Sequence, residues 1–517
     1  MKNRILHIVT ILLLGLIVGF STNEAHAQRK KNVMNQNISI YAEDEALAKV
    51  IEQICDQFNL NYSYNSKILE GKQVNLNIVN KPLKSVLEKL MKDYYLIFEI
   101  ENNILVVRDY VPMDKSSDNA QSKFTAPNLG FFANDLKKRE HTIKFKSASN
   151  LIIISVQVNE SDTLNFILDS GVRHPIITEL PYINKLNLKY MRPIEVRGLG
   201  GGEPLTAYRS GNNEIQIAGF SAKNQDIQMI INEDFQVSQI LGIPVHGLIG
   251  FNMFNNYIVK VDYPNEKLHI IKPDKFKYKP RSKDIVLPIT FEGYKPYITT
   301  SIVQDDLSEV RVKLLVDTGA SDALWLATST NEKLKLPDNH ISSFLGKGLS
   351  GNLYGAKGRV TGVNLGSTVL FDPIVSFPDT SVTNHIVFKN NRNGTIGAEI
   401  LRRFYVTFDY PNKRLILRPN QHIKEKFNYN MSGLEIINPM PGFPIYTVSE
   451  VREGSPAFLA GIRTADQIIT VNNSSHKHIT LNDINMLMQS KENKKIKMTV
   501  LRNGEKIKTS FLLKKEL

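Results

Sequence analysis

The sequence predicts a multidomain, mainly β protein with a small α+β domain at its N-terminus and two β lobes of one pattern behind it. Three observations carry that expectation. The chain has 517 residues, enough for three or four domains at about 100–200 residues each. Apolar residues recur at helical spacing in a few short segments, whereas most of the chain reads as short β runs punctuated by Gly, Asn and Pro. One set of motifs also occurs twice, at a constant offset, between residues 141 and 420.

Composition narrows the classes. An apolar share of 42% with 22% charged residues is that of a folded chain. Sixty-four Lys and Arg against 51 Asp and Glu leave +13, spread thinly along the chain, so nucleic acid is not an expected partner. The single cysteine, Cys55, excludes a disulfide framework and multi-cysteine zinc or iron–sulfur sites. Its place on an apolar helix face reads as core. The 11 histidines are mostly isolated. There is no His-Glu-x-x-His, no Gly-x-x-x-x-Gly-Lys-[Ser/Thr] and no Gly-x-Ser-x-Gly, and Gly198 to Glu203 lacks the last glycine of a dinucleotide loop. Neither a metal nor a cofactor is expected.

The elements follow in chain order. Lys2 and Arg4 precede an apolar run, Ile5 to Phe20, and Ala25-His26-Ala27 places small residues at −3 and −1. This is the layout of a secretory signal peptide over residues 1–27, cleaved before Gln28. Its strongly apolar core, Ile8 to Phe20, has 13 residues, short of the about 20 that span a bilayer. No later stretch is apolar enough to span. An exported mature chain without a transmembrane segment is therefore expected, in the periplasm first, with secretion as the other destination.

Residues 38–110 form the small α+β domain. Ala46, Leu47, Val50, Ile51, Ile54 and Phe58 keep helical spacing behind Asp44, a plausible cap. Val74, Leu76 and Ile78 alternate as in a half-buried strand. Pro82 opens a second helix with Leu83, Val86, Leu87 and Leu90, because proline's missing N–H has no partner at a first helical position. Leu96, Phe98 and Ile100, then Leu105 to Val107, make a hairpin turned at Asn102-Asn103. Residues 111–140, rich in Ser, Asp, Asn and Lys, read as a linker whose Phe124, Phe131 and Phe132 are free to pack onto the next domain.

The repeat then begins. Phe166-Ile167-Leu168-Asp169-Ser170-Gly171 is matched by Leu314-Leu315-Val316-Asp317-Thr318-Gly319. Gly247-Leu248-Ile249-Gly250 is matched by Gly394-Thr395-Ile396-Gly397, and Val261-Asp262-Tyr263-Pro264-Asn265 by Phe408-Asp409-Tyr410-Pro411-Asn412. The offsets agree: 317 − 169 gives 148 and 394 − 247 gives 147. Glycine-rich stretches, Arg197 to Gly202 and Leu345 to Gly348, precede Tyr208 and Tyr354. Two lobes of one fold follow, over residues 141–275 and 276–420.

A doubled hydrophobic-Asp-[Ser/Thr]-Gly motif supports a definite chemistry. An apolar strand delivers each Asp to the base of a cleft, glycine lets one backbone approach its twin, and the hydroxyl bonds across the axis between them. Two carboxylates about 3 Å apart share one proton, because both cannot ionise. The charged member activates a water, and the neutral member donates to the developing oxyanion and then to the leaving amine.

These motifs resemble those of the retropepsin-like aspartic proteases in their single-chain, duplicated form. The resemblance covers about 280 residues and implies bilobal β barrels with Asp169 and Asp317 as the catalytic dyad. It implies that Ser170, Gly171, Thr318 and Gly319 support the dyad, and that the Gly-rich stretches are flaps with Tyr208 and Tyr354 near their tips. Arg173, His174, Ser321 and Asp322, just past the motifs, fall where the family places substrate contacts. The first motif departs from the usual pattern in the Val172-Arg173-His174 that follows its glycine. A cation beside the dyad would lower both carboxyls and disfavour the shared proton; a solvated or locally paired Arg173 would not.

Two further resemblances flank the lobes. Val74-Asn75-Leu76-Asn77, Pro82-Leu83 and Val86-Leu87 are similar to the core of the short N-terminal (STN) domain of secretins and TonB-dependent transducers. That implies docking to an envelope protein partner; a spacer is the plain alternative. Residues 430–517 resemble a PDZ domain, a partly open barrel, through Gly454-Ser455-Pro456-Ala457, Ala460-Gly461 and Asp466 to Asn472. A helix around Leu481 to Met488 and a hairpin, Lys497 to Val500 and Ser510 to Leu513, turned at Asn503-Gly504, complete the match. Ala465 stands where the family carries glycine. Such a domain takes a peptide as an added strand, with Gly433, Leu434, Glu435 and Ile436 as the candidate carboxylate loop and Pro439 to Pro444 competing for that role.

The combination implies an exported aspartic endopeptidase acting on extended polypeptides, with a PDZ domain that captures a peptide ligand. The alternative is a peptidase-inactive, peptide-binding adaptor of the cell envelope.

Overall fold

A computed structural model describes residues 33–64, 69–94, 96–101, 104–109, 130–135, 137–179, 186–188, 192–196, 205–230, 237–348, 351–379 and 391–517. The expected signal peptide, residues 111–129 and 136 of the expected linker and the first Gly-rich stretch lie outside these residues. The end of that linker is structured: Phe131 is buried and Phe132–Ala133 pairs with Phe220 and Ser221. The chain divides into two compact units, Met1–Gln121 and Ser122–Leu517.

In the first unit, helix Leu47–Gln57 buries Leu47, Val50, Ile51, Ile54 and Cys55 on one face. Asp44 does not cap it. The helix follows Ala46 with no side-chain cap, and Asp44 takes a left-handed φ of 49° while its N–H bonds to Asn75 Oδ1 at 2.8 Å. The strand pair Asn37–Ala46 and Gln73–Pro82 bulges at that point, so the edge of a sheet consumes the would-be cap. Pro82 ends this strand and helix Leu83–Asp93 begins one residue later. Strands Asn61–Tyr64, Ile104–Asp109 and Leu96–Glu101 form a separate three-stranded sheet in that order.

In the second unit, two large sheets are built on one plan. In the first, strand Leu164–Leu168 runs parallel to Gly247–Ile249, pairing Phe166 with Gly247 and Leu168 with Ile249. In the second, Glu309–Val316 runs parallel to Gly394–Ile396, pairing Leu314 with Gly394 and Val316 with Ile396. Both motif strands end in three buried apolar residues, Phe166 to Leu168 and Leu314 to Val316. Each also pairs antiparallel to the strand before it, Leu151–Val158 and Lys295–Val303 respectively.

A six-stranded sheet joins the halves. Its middle pair is Ile258–Asp262 against Phe404–Asp409, in a register that sets Lys260 opposite Thr407. Since 407 − 260 gives 147, the offset between Gly247 and Gly394, Lys260 pairs with its own counterpart. One apolar core, from Phe131 to Phe427, runs through both lobes.

The C-terminal sheet has the order Leu434–Ile437, Tyr446–Val451, Gln467–Val471, Lys495–Arg502, Glu505–Leu512. Helix Leu481–Met488 starts at a capping box of Thr480 and Asp483 and buries Leu481, Ile484 and Met488. Asn503 and Gly504 turn the last hairpin with φ of 52° and 84°, the mirror-image turn that suits strand twist. This domain packs on the first lobe: the Asn438 N–H donates to the Gln239 carbonyl at 2.8 Å, from the short helix Val237–Leu241.

Candidate active site

The end of each motif strand is held by its parallel neighbour. The Asp169 N–H donates to the Ile249 carbonyl at 2.8 Å and the Asp317 N–H to the Ile396 carbonyl at 3.0 Å. Each chain then turns so that a glycine amide meets the carboxylate two residues back. Gly171 donates to Asp169 Oδ1 at 2.7 Å and Gly319 to Asp317 Oδ1 at 2.9 Å.

Ser170 and Thr318 lock the two turns together. The Ser170 N–H donates to Thr318 Oγ1 at 3.0 Å and the Thr318 N–H to Ser170 Oγ at 3.0 Å. Each hydroxyl donates onward, Ser170 Oγ to the Val316 carbonyl at 2.7 Å and Thr318 Oγ1 to the Leu168 carbonyl at 2.6 Å. Both side chains are buried, at 1% and 0% exposure, so neither has water as an alternative partner.

The carboxylates interlock with the opposite glycines. A Cβ added to Gly319 would lie 2.4 Å from Asp169 Oδ2; one added to Gly171 would lie 3.1 Å from both Asp169 Oδ1 and Asp317 Oδ2. A side chain at either position would displace the pair, which is why glycine stands there. Asp169 is buried and Asp317 half-buried. Burial, then the charge of Asp317 and hydrogen bonding to it, hold the Asp169 carboxyl well above the usual range, against the Gly171 amide and the Lys295 charge.

Three further residues complete the surroundings, none of them among the site residues expected from the sequence. Burial, then the Arg392 charge, lowers the Lys295 ammonium, with the Asp317 and Asp169 carboxylates opposing. Arg392 donates to the Gly394 carbonyl at 2.9 Å and to Thr395 Oγ1. Tyr410 is buried with no hydrogen-bond partner for its hydroxyl among the described residues; burial, then the Asp317 and Asp169 charges, push it up. The repeated Asp-Tyr-Pro-Asn motif marks Tyr410. Lys295 has no comparable signal: 295 − 148 gives 147, and Ser147 stands there.

The residues past the motifs divide. Arg173 is exposed, with its guanidinium 4.0 Å from the ring centre of Tyr294, and it is not among the causes that shift Asp169. His174 is brought down to about 4 by burial and by the Arg173 and Arg209 charges, with Asp226 opposing. Ser321 is exposed and its carbonyl accepts from Asn150 at 3.2 Å. Asp322 is engaged internally: its Oδ2 accepts from Trp325 Nε1 at 2.8 Å and from Ser376 Oγ at 2.7 Å.

The two tyrosines do not play matching parts. Tyr208 packs against the core of its lobe. Tyr354 sits in the hairpin of His340–Gly348 with Gly351–Arg359, 43% exposed and edge-on to Phe344. It lines a cavity of about 430 Å³ between that hairpin and the C-terminal domain, with Lys357, Glu435 and Glu450. Glu435 therefore faces this cavity, while Leu434 and Ile436 point into the domain core. The turn before them is internally bonded. Met431 N–H donates to the Met488 carbonyl at 3.1 Å, Ser432 N–H to Asn430 Oδ1 at 3.0 Å and Leu434 N–H to Ser432 Oγ at 3.1 Å. Gly433, with φ of 77°, fits because a Cβ there would meet Ser455 at 2.2 Å.

Among the described residues, no group of three or more His, Cys, Asp or Glu side chains is arranged to hold a metal ion. Chemically, the site offers two carboxyls brought close together at the ends of two buried strands.

Comparison with known proteins bears on the same regions. A search of curated proteins finds no match. Among solved structures, the chain is similar to an aspartic proteinase from Irpex lacteus at 14% identity and a TM-score of 0.36, covering 56% of this chain and 100% of that one. A PDZ domain family matches residues 447–502, and an aspartyl protease family matches residues 303–400, which span the second motif and its parallel partner strand. In family terms, this chain carries an aspartyl protease domain and, behind it, a PDZ domain.

Proposed function

We propose that the chain is an exported aspartic endopeptidase whose two lobes, products of an internal duplication, join one aspartate each into a water-activating dyad. The observation that carries this reading is the reciprocal Ser170–Thr318 clasp, which fixes both carboxyl-bearing turns face to face. Asp169 keeps the shared proton because its burial and its neighbour both favour the neutral form. The other carboxylate removes a proton from a water that attacks the peptide carbonyl. Asp169 donates to the carbonyl oxygen; as the tetrahedral diol collapses and its C–N bond breaks, the proton taken from the water passes to the leaving amine and a diol hydroxyl returns a proton to Asp169. No cofactor takes part in these steps.

The PDZ domain captures an extended peptide and raises its concentration at the cleft. The small N-terminal domain, STN-like in sequence, docks to an envelope partner, and the periplasm is the site of action.

Purified mature chain incubated with an unfolded protein from about pH 3 to about pH 8 tests the reading. We expect cleavage that a statine-type transition-state mimic blocks and that Asp169→Asn and Asp317→Asn each abolish, since the two act as a unit. Binding without products would instead make the chain an adaptor. Near-normal rates in either variant would refute the dyad.

A further inference from the structure

Lys295 and Arg392 lie within electrostatic reach of the paired aspartates, and Arg173 shares a corner with Lys295. Arg173 lies two residues past Gly171, and its guanidinium stacks at 4.0 Å on Tyr294. Tyr294 turns the hairpin of Thr290–Glu292 with Lys295–Val303 at a φ of 74°, so the next residue, Lys295, opens the strand beside the motif strand. The Tyr294 ring also meets Phe251 edge-on at 4.9 Å, and the Phe251 N–H donates to the Val172 carbonyl at 2.9 Å. This packing ties Arg173 and Lys295 to one rigid corner. Arg392 is anchored just before the strand whose Ile396 carbonyl holds the Asp317 amide.

The three cations share a further property. Arg209 pairs with Asp226, and Lys357 stands 3.9 Å from Asp322. Arg173, Lys295 and Arg392 have no carboxylate within ion-pair distance among the described residues. Two cations thus stand near a dyad that carries one negative charge when it shares a proton, and an exposed third, Arg173, stands at the corner occupied by Lys295. A partly buried cation without a counter-charge is costly, and an incoming carboxylate relieves that cost.

We propose that this corner is an acidic-side-chain subsite, so that the protein selects polypeptides with Asp or Glu beside the scissile bond. The subsite rests on the endopeptidase reading for its use in catalysis, but its selectivity is a binding property and separable from turnover. A substrate carboxylate reaching Lys295 or Arg173 gains charge-assisted hydrogen bonds, which predicts a preference of about tenfold or more over the neutral amide.

The test uses peptide pairs identical except for Glu or Gln next to the cleaved bond, with kcat/KM measured at low and high salt. We expect the Glu peptide to be preferred about tenfold, the preference to shrink as salt rises, and the Glu/Gln ratio to fall toward one in Lys295→Met and in Arg173→Gln, whatever their absolute rates. Equal rates for the pair in the unmodified protein, or an unchanged ratio in both variants, would overturn the proposal. The same pair is titrated by fluorescence anisotropy into the Asp317→Asn protein. If neither peptide is ever cut, the endopeptidase reading fails, yet preferential binding of the Glu peptide upholds the subsite and equal binding refutes it.

Discussion

Replacing Gly319 by alanine separates the catalytic geometry from the fold. Neither Gly319 nor Gly171 has a positive φ, so alanine adopts either backbone without strain. The new methyl on residue 319 would lie 2.3 Å from Asp169 Cγ. Carbon atoms pack at about 3.5–4.0 Å, so the carboxyl has to retreat by about 1.2 Å or more. A misplacement of about 1 Å at a reacting group costs about 10²-fold. Gly171→Ala is milder, since its nearest atoms are carboxylate oxygens at 3.1 Å, which ordinary contact requires to move by a few tenths of an ångström. We expect kcat on a fluorogenic peptide to fall about 100-fold or more in Gly319→Ala and less than about tenfold in Gly171→Ala. Thermal unfolding of both variants checks that the fold survives. A folded Gly319→Ala with near-normal kcat, or equal losses in the two, would refute the interlocked geometry.

Three other outcomes follow from the structure. Glu435 stands directly across the strand pair from Glu450, and its carboxyl is pushed up to about 7, by burial first, then by Glu450 and Asp322 against Lys357. A carboxyl raised in the folded state costs nothing below its unfolded value of 4.5 and destabilises progressively as pH rises toward about 7. Glu435→Gln should therefore be more stable than the unmodified chain at about pH 8, by at most about 3 kcal/mol, and equal at about pH 4; denaturant melts showing no gain at the higher pH would contradict this. Ala465 holds a left-handed φ of 71°, so Ala465→Gly should stabilise the C-terminal domain by about 0.5–1 kcal/mol in chemical denaturation. Cys55 is fully buried and its thiol is pushed up to about 11, chiefly by burial, so a maleimide should label it only after unfolding.

What could be read from the sequence was whatever depends on local pattern. Buried strand ends announce themselves by apolar runs, which is why Phe166 to Leu168 and Leu314 to Val316 were legible with the aspartates that follow them. Asn503-Gly504 was legible because the mirror-image hairpin turn admits few other pairs. Asp44 misled because a sheet edge, set by the distant Asn75, outcompeted a local cap. The parts played by Tyr354, Asp322 and Glu435 depend on which hairpin packs against which domain, and no local pattern carries that information. Lys295 reaches the dyad only through the pairing of its strand with the motif strand, across a loop whose length says nothing of register.

The symmetry of the site belongs to its backbone, and the asymmetry to its charges. Clasp, turn amides and parallel partner strands are reproduced in both halves to within a few tenths of an ångström. Nothing in that frame distinguishes an acid from a base. The distinction comes from what the repeat does not duplicate: Asp169 is buried while Asp317 is half-buried, and both Lys295 and Arg392 come from the second half. Burial and the Lys295 charge act on Asp169 in opposite directions, and burial is the larger. The proposed proton assignment rests on that inequality. If Lys295 only trims the rise, Lys295→Met should lift the upper limb of the pH–rate profile to higher pH; a downward move would mean that its charge holds the proton in place rather than opposing it.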